Sequence, residues 1–217
     1  MKNKINPLFL IPILAVIFVL IYATIHTLVN KESDTLPVYS SDQMGEQVPF
    51  LIEDFSLIDQ NGQVFTRADI GNRIVISNFF FASCPEICPT INGNIKAVTK
   101  SFSAKDNILF LSHTVDPYND TASVLRDYAN DLGVNDAQWR FLTGKKSTLY
   151  HLAIDNYKAV IQEVPDTTDF IHSEKVMLVD REFHIRGIYN GLDTNELKQL
   201  TKDAQKLLFT YKEDEKH

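Results

Sequence analysis

The chain has 217 residues, of which 44% are hydrophobic, and 28 acidic side chains outnumber 21 basic ones to leave a formal charge of −7. That length suits one domain with an extension. The acid excess argues against binding to nucleic acid or to an anionic lipid surface, because both reward basic patches.

In chain order, the first feature is the apolar run from Leu8 to Val29, which holds no Asp, Glu, Lys or Arg. Roughly 22 residues at about 1.5 Å each span about 33 Å, enough to cross a hydrocarbon core of about 30 Å. A cleaved signal peptide is the rival reading. Its apolar core runs only about 7–15 residues and ends at small residues, whereas this run is longer, Ile25-His26-Thr27 is a poor cleavage site, and no lipid-carrying cysteine follows. Lys2 and Lys4 precede the run and all acidic residues follow it, so the positive-inside tendency keeps residues 1–7 in the cytoplasm. The expectation is a single-pass inner (cytoplasmic) membrane protein with its C-terminal domain on the periplasmic, extracytoplasmic side. Residues 30–47 are polar and read as a tether, 48–210 as the globular domain and 211–217 as a charged tail.

Within the domain, Phe55–Asp59 and Val64–Thr66 flank Gln60-Asn-Gly-Gln63, a hairpin pattern. Arg73–Phe81 is a nearly continuous apolar run, as expected of a central strand covered on both faces. From Pro89 to about Ala104, Ile91, Ile95, Val98 and Phe102 recur at helical spacing. Asn107–Val115 reads as a second buried strand, and Asp120–Leu132 as an amphipathic helix capped by Asp120. Further strands are expected at Trp139–Leu142, Ala159–Val164, Glu174–Val179 and His184–Tyr189, with a turn at Asp180–Glu182. Helices are expected at Ser147–Ile154 and Thr194–Leu208. A βαβ unit followed by ββα predicts an α/β, thioredoxin-like fold with a central mixed sheet flanked by helices.

Only two cysteines are present, four positions apart, in Phe81-Ala-Ser-Cys84-Pro-Glu-Ile-Cys88-Pro89. A structural bridge stabilises chiefly by closing a long loop, so this pair points to chemistry instead. It falls where a buried strand gives way to a helix, whose first N–H groups and dipole favour thiolate over thiol. One residue more than the C-x-x-C of exchange enzymes gives a wider loop, suited to two sulfurs around a soft ion such as Cu(I) or Zn(II). Two cysteines alone make no complete site, so a further ligand is required. Metal binding and thiol–disulfide exchange both remain open on these residues.

FFFASCPEICPTINGNI, SHTVDPYNDTASVLRDYA, FLTG and DFIHSEKVMLVD, in this order, resemble the Sco/SenC family of copper chaperones across nearly all of the domain. Glu86 stands where the family often has Asp, which keeps the charge. The resemblance implies a metallochaperone rather than an enzyme. It implies that Cys84, Cys88 and His172 bind copper, as Cu(I) or as Cu(II). The implied recipient is the binuclear copper site of cytochrome c oxidase subunit II or a similar apo-copper protein, served by a monomer. The alternative is a thiol–disulfide oxidoreductase that keeps the recipient's cysteines reduced, with Cys84 attacking and Cys88 resolving. Asp116 in Val-Asp-Pro is placed either beside the site or as the cap of its own turn. His113 reads as a core or capped histidine; His26, His151, His184 and His217 read as ordinary.

Overall fold

The computed structural model describes residues 16–22, 24, 36–43, 46–103, 105–159, 162–163, 170–171 and 173–214. Of the apolar run expected to span a membrane, this covers 16–22 and 24, which are helical; among the described residues no helix is long and apolar enough to cross a membrane. The rest of that run, residues 1–7, residues 30–35, His172 and residues 215–217 lie outside the described residues.

The segment expected to be a tether contains structure. Strands β1 (Ser40–Gln43) and β2 (Glu46–Pro49) pair antiparallel, Ser40 opposite Pro49. Next comes the expected hairpin of β3 (Ser56–Asp59) and β4 (Val64–Thr66). Its turn closes because Asp59 Oδ1 accepts the N–H groups of Asn61 and Gln63, both at 2.9 Å, while Gly62 supplies the required φ of 73°. A single turn of helix, α1 (Arg67–Ile70), leads into β5 (Ile74–Phe80), α2 (Ile87–Thr99), β6 (Ile108–Thr114), α3 (Ala122–Leu132) and β7 (Trp139–Thr143). The chain continues through α4 (Lys146–His151), a π-helical turn (Leu152–Asn156) and the short paired strands β8 (Gln162–Glu163) and β9 (Phe170–Ile171). It closes with β10 (Lys175–Val179), β11 (Ile185–Asn190) and α5 (Thr194–Asp214).

Seven strands form one sheet in the order β11-β10-β5-β6-β7-β3-β4. The centre is parallel, Ile74 opposite Ile108 through Phe80 opposite Thr114, and β10, β11, β3 and β4 run antiparallel at the two sides. All seven residues of both β5 and β6 are buried, as their largely apolar character requires of strands covered on both faces, with Ser77, Asn78, Ser112, His113 and Thr114 the buried polar exceptions. Side chains alternate between faces. Val75, Phe79, Leu109, Leu111, Met177 and Val179 join one core cluster with Leu149, Leu152 and Tyr157. On α2, Cys88, Ile91, Asn92, Ile95 and Val98 are buried, and α2 packs against α5.

Three expectations about elements change. Thr121, not Asp120, caps α3 by accepting from Val124 N at 3.3 Å. The carboxylate of Asp120 is occupied elsewhere, by Thr114 Oγ1 and the Ala82 N–H. Helix α5 runs six residues past its expected end into the charged tail, where Tyr211 donates to Glu182 at 2.9 Å and stacks beneath Arg181. Between residues 159 and 164, strand is described only at Gln162–Glu163.

Candidate metal centre

Strand β5 ends at Phe80, and the loop that follows is pinned at its start. Ala82 N donates to Asp120 Oδ2 at 3.0 Å, and Cys84 N donates to Phe81 O at 3.3 Å. This turn delivers Cys84 to the mouth of α2, whose N-cap residue Glu86 makes no side-chain cap. A sulfur takes that place: Cys88 N, in the first turn, donates to Cys84 Sγ at 3.3 Å. Pro89 follows in the same turn, where a missing N–H leaves no hydrogen bond unmade.

No disulfide joins Cys84 to Cys88, and both are buried, with Cys84 5% and Cys88 2% exposed. Burial pushes the Cys88 thiol well above the ordinary range. The hydrogen bond to Cys84 and the negative charge of Cys84 and Asp120 push the same way, against a backbone hydrogen bond from Phe81. Cys88 therefore holds its proton until something replaces it.

The fit to a soft cation rests on these two sulfurs, held together at a helix mouth and screened from solvent. His172 lies outside the described residues, between β9 and the buried Ser173, whose Oγ accepts from Lys175 N at 3.2 Å. Among the described residues no group of three or more His, Cys, Asp and Glu side chains converges to hold a metal.

Asp116 holds its own turn. Its Oδ2 accepts from Asn119 Nδ2 at 2.8 Å, and its carbonyl accepts from the N–H groups of Asn119 and Asp120. The carboxylate whose charge reaches Cys88 is Asp120, itself raised by burial and, to a lesser degree, by Asp116. His113 is fully buried in β6, stacked on Phe79 at 5.0 Å, with Nδ1 3.2 Å from Ser77 Oγ. His151 bridges Asp155 and Glu53 at the surface.

Sequence reasoning missed Asp120, Asn92 and Tyr128 as neighbours of the pair. Asn92 was within reach, since it follows Cys88 by one helical turn and so shares its face. Nothing local marks Tyr128, which arrives from α3 and whose hydroxyl accepts from Asn92 Nδ2 at 2.9 Å.

A dithiol on the turn between a central strand and its following helix, in a mixed sheet of this order, defines the chain as a thioredoxin-like α/β protein with a thiol site. Residues 43–208 match the SCO1/SenC family model, and the chain belongs to that family. The SCO1 protein homolog of Bacillus subtilis is 23% identical over 165 residues, covering 75% of this chain and 86% of the homolog. Among solved structures, BsSco, a member of the Sco family of cytochrome c oxidase assembly proteins in which a disulfide switch was identified, superposes with a TM-score of 0.66 at 23% identity, covering 74% of this chain and 94% of its own. ScoI of Bradyrhizobium japonicum, solved with copper bound, gives a TM-score of 0.61 at 23% identity, over 72% of this chain and 99% of that one.

Proposed function

We propose that this chain binds copper through Cys84, Cys88 and His172 and delivers it during cytochrome c oxidase assembly to an apo-copper site such as that of subunit II. In this reading the apolar run at residues 8–29 anchors the protein, and the domain works on the extracytoplasmic face. The observation that carries the reading is the paired sulfur geometry, Cys88 N on Cys84 Sγ at 3.3 Å, in a chain of the SCO1/SenC family. Copper is cargo here. Its capture displaces the two thiol protons onto solvent, and an imidazole from His172 would complete a three-ligand set without a proton cost at neutral pH.

A second reading, thiol–disulfide exchange with a partner's cysteines, draws on the same two residues. It is favoured by the closeness of the two cysteines and by the disulfide switch identified in BsSco. Cys88, nearly closed off and holding its proton, suits the resolving position better than the attacking one.

Anaerobic titration of residues 37–217 with Cu(I), followed by desalting and metal analysis, separates the two. The expected result is one copper retained per chain, lost in Cys84→Ala and Cys88→Ala. In His172→Ala, affinity should fall at least about a hundredfold, the cost of removing a whole ligand rather than one of its supports, with the fold intact. Unchanged affinity in His172→Ala would remove it from the ligand set. No retained copper in the parent, with a readily cycling disulfide, would leave the exchange reading standing.

A further inference from the structure

A buried hydrogen-bond chain that copper ligation does not use ends at Tyr128, whose phenol lies within electrostatic reach of the cysteine pair. Trp139 Nε1 donates to Ser112 Oγ at 2.9 Å, and Ser112 Oγ donates to Asn78 Oδ1 at 2.6 Å. Asn78 Nδ2 donates to Asn92 Oδ1 and Asn92 Nδ2 to Tyr128 Oη, both at 2.9 Å. An indole nitrogen only donates, so the direction is fixed at Trp139 and each later member accepts from one neighbour and donates to the next. The last member, Tyr128, accepts from Asn92 and keeps its own O–H proton for another acceptor.

Trp139, Ser112, Asn78 and Asn92 are all 2% exposed or less. A core that needed only filling would use apolar groups here, because each buried polar atom must be matched or left at a cost. The chain instead points a donor in one direction. Asn92 stands four residues after Cys88 on the buried face of α2, and the Tyr128 hydroxyl bonded to Asn92 is close enough to feel the charge of both cysteines. The Tyr128 ring is held there between Phe80 at 5.1 Å and Phe141 at 5.6 Å. Asp120, the nearest carboxylate, already accepts from Thr114 and Ala82.

We propose that Tyr128 is a positioning residue whose phenol donates a hydrogen bond to the Cys88 sulfur of the dithiol, favouring that form over the disulfide. Burial keeps the phenol protonated. This inference rests on the reading above in one respect, that Cys84 and Cys88 cycle between dithiol and disulfide.

The test is the equilibrium with glutathione, in which one glutathione disulfide takes two electrons and two protons from the pair, forming the Cys84–Cys88 bond and releasing two glutathione thiols. In Tyr128→Phe the constant for forming the protein disulfide should rise about tenfold, equivalent to a potential about 30 mV lower. Ser112→Ala breaks the same chain three members upstream of Tyr128 while leaving the terminal donor, and should change the constant less than about threefold. Placing 3-fluorotyrosine at 128, a stronger donor of nearly the same shape, should move the constant the opposite way, and this answers the question even if Tyr128→Phe does not fold. Equal shifts in Tyr128→Phe and Ser112→Ala, or no shift with either change at position 128, would overturn the inference alone. A parent protein that never forms the disulfide would overturn the cycling reading and this inference with it.

Discussion

Cys84 and Cys88 stand at the same turn but in different chemical settings. Cys84 accepts a helix N–H on its sulfur, whereas Cys88 is closed in by the sheet and lies near Asp120 and the neighbouring sulfur. The motif singled out both residues, two cysteines four apart where a buried strand meets a helix. It did not reveal Asp120, whose reading as a helix cap was reasonable locally and fails because its Oδ2 is turned to Thr114 and Ala82 while Thr121 caps the helix. His113 shows the same limit. Spacing cannot distinguish a core histidine from a ligand, but its burial against Phe79, Phe55 and Tyr157 does. That burial lowers its imidazole from 6.5 to about 4. As pH falls below about 6.5 the unfolded chain takes up a proton that the native chain refuses until about pH 4. Stability should therefore be full above that window and fall through it, by on the order of 3 kcal/mol in all. Urea midpoints followed from about pH 6.5 to 5, above most carboxylate titration, should drop in the parent and drop less in His113→Phe, which keeps the ring stack. Identical slopes in the two proteins would mean that His113 is not the group that titrates.

At the level of elements, the central unit of β5, α2 and β6 was legible because each piece carries a pattern that only one structure buries. Nearly continuous apolar runs became strands covered on both faces, and the helical stripe of Ile91, Ile95 and Val98 became the buried side of α2. The π-helical turn after α4 and the β1–β2 hairpin were not legible, since neither has an apolar period of its own. How α2 is held depends on a glycine that periodicity never singles out. Gly191, in the turn between β11 and α5, donates its N–H to Glu174 O at 2.7 Å and accepts from Asn94 Nδ2 at 2.9 Å. A Cβ there would sit 2.8 Å from a methyl of Ile91 and 3.1 Å from the Glu174 carbonyl oxygen. Gly191→Ala should force α2 and this turn apart and cost about 1–3 kcal/mol, read as a lower urea midpoint at unchanged slope. A loss below about 0.5 kcal/mol, the range of ordinary surface changes, would show that α2 shifts freely at this contact.

For the whole molecule, the boundary of the domain falls earlier than polarity suggested. Tyr39 N donates to Ile185 O at 2.9 Å, Ile185 N to Phe50 O at 3.3 Å and Ile52 N to Phe183 O at 3.0 Å. These bonds fasten the N-terminal segment to the turn before β11 and to its first residue. Arg186 fastens the start of the segment by donating to Pro37 O at 3.0 Å. A polar stretch can still belong to a folded domain when its backbone, rather than its side chains, makes the contacts. In the proposed arrangement the preceding apolar run sits in the membrane, which would hold the copper site at high effective concentration near membrane-bound recipients. Protease added to intact spheroplasts expressing the full chain should digest the domain, while a short N-terminal fragment stays with the membrane. A domain protected until the membrane is broken would place it on the cytoplasmic side and sink the proposed topology.

The amino-acid sequence by itself determined the order of strands and helices, the cysteine turn at the mouth of α2 and membership of a family. All three are written in local patterns: apolar period, turn chemistry and a short motif. Tertiary structure alone decided which polar groups surround the thiols. Asp120 arrives beside Cys88 from the turn after β6, Tyr128 from α3, and the hydrogen bonds that orient Tyr128 begin on β7. These partners lie 32 to 51 residues from Cys88 along the chain, where no local period links them. Only the stacking of the parallel strands and the packing of α2 and α3 on the sheet bring them to one place.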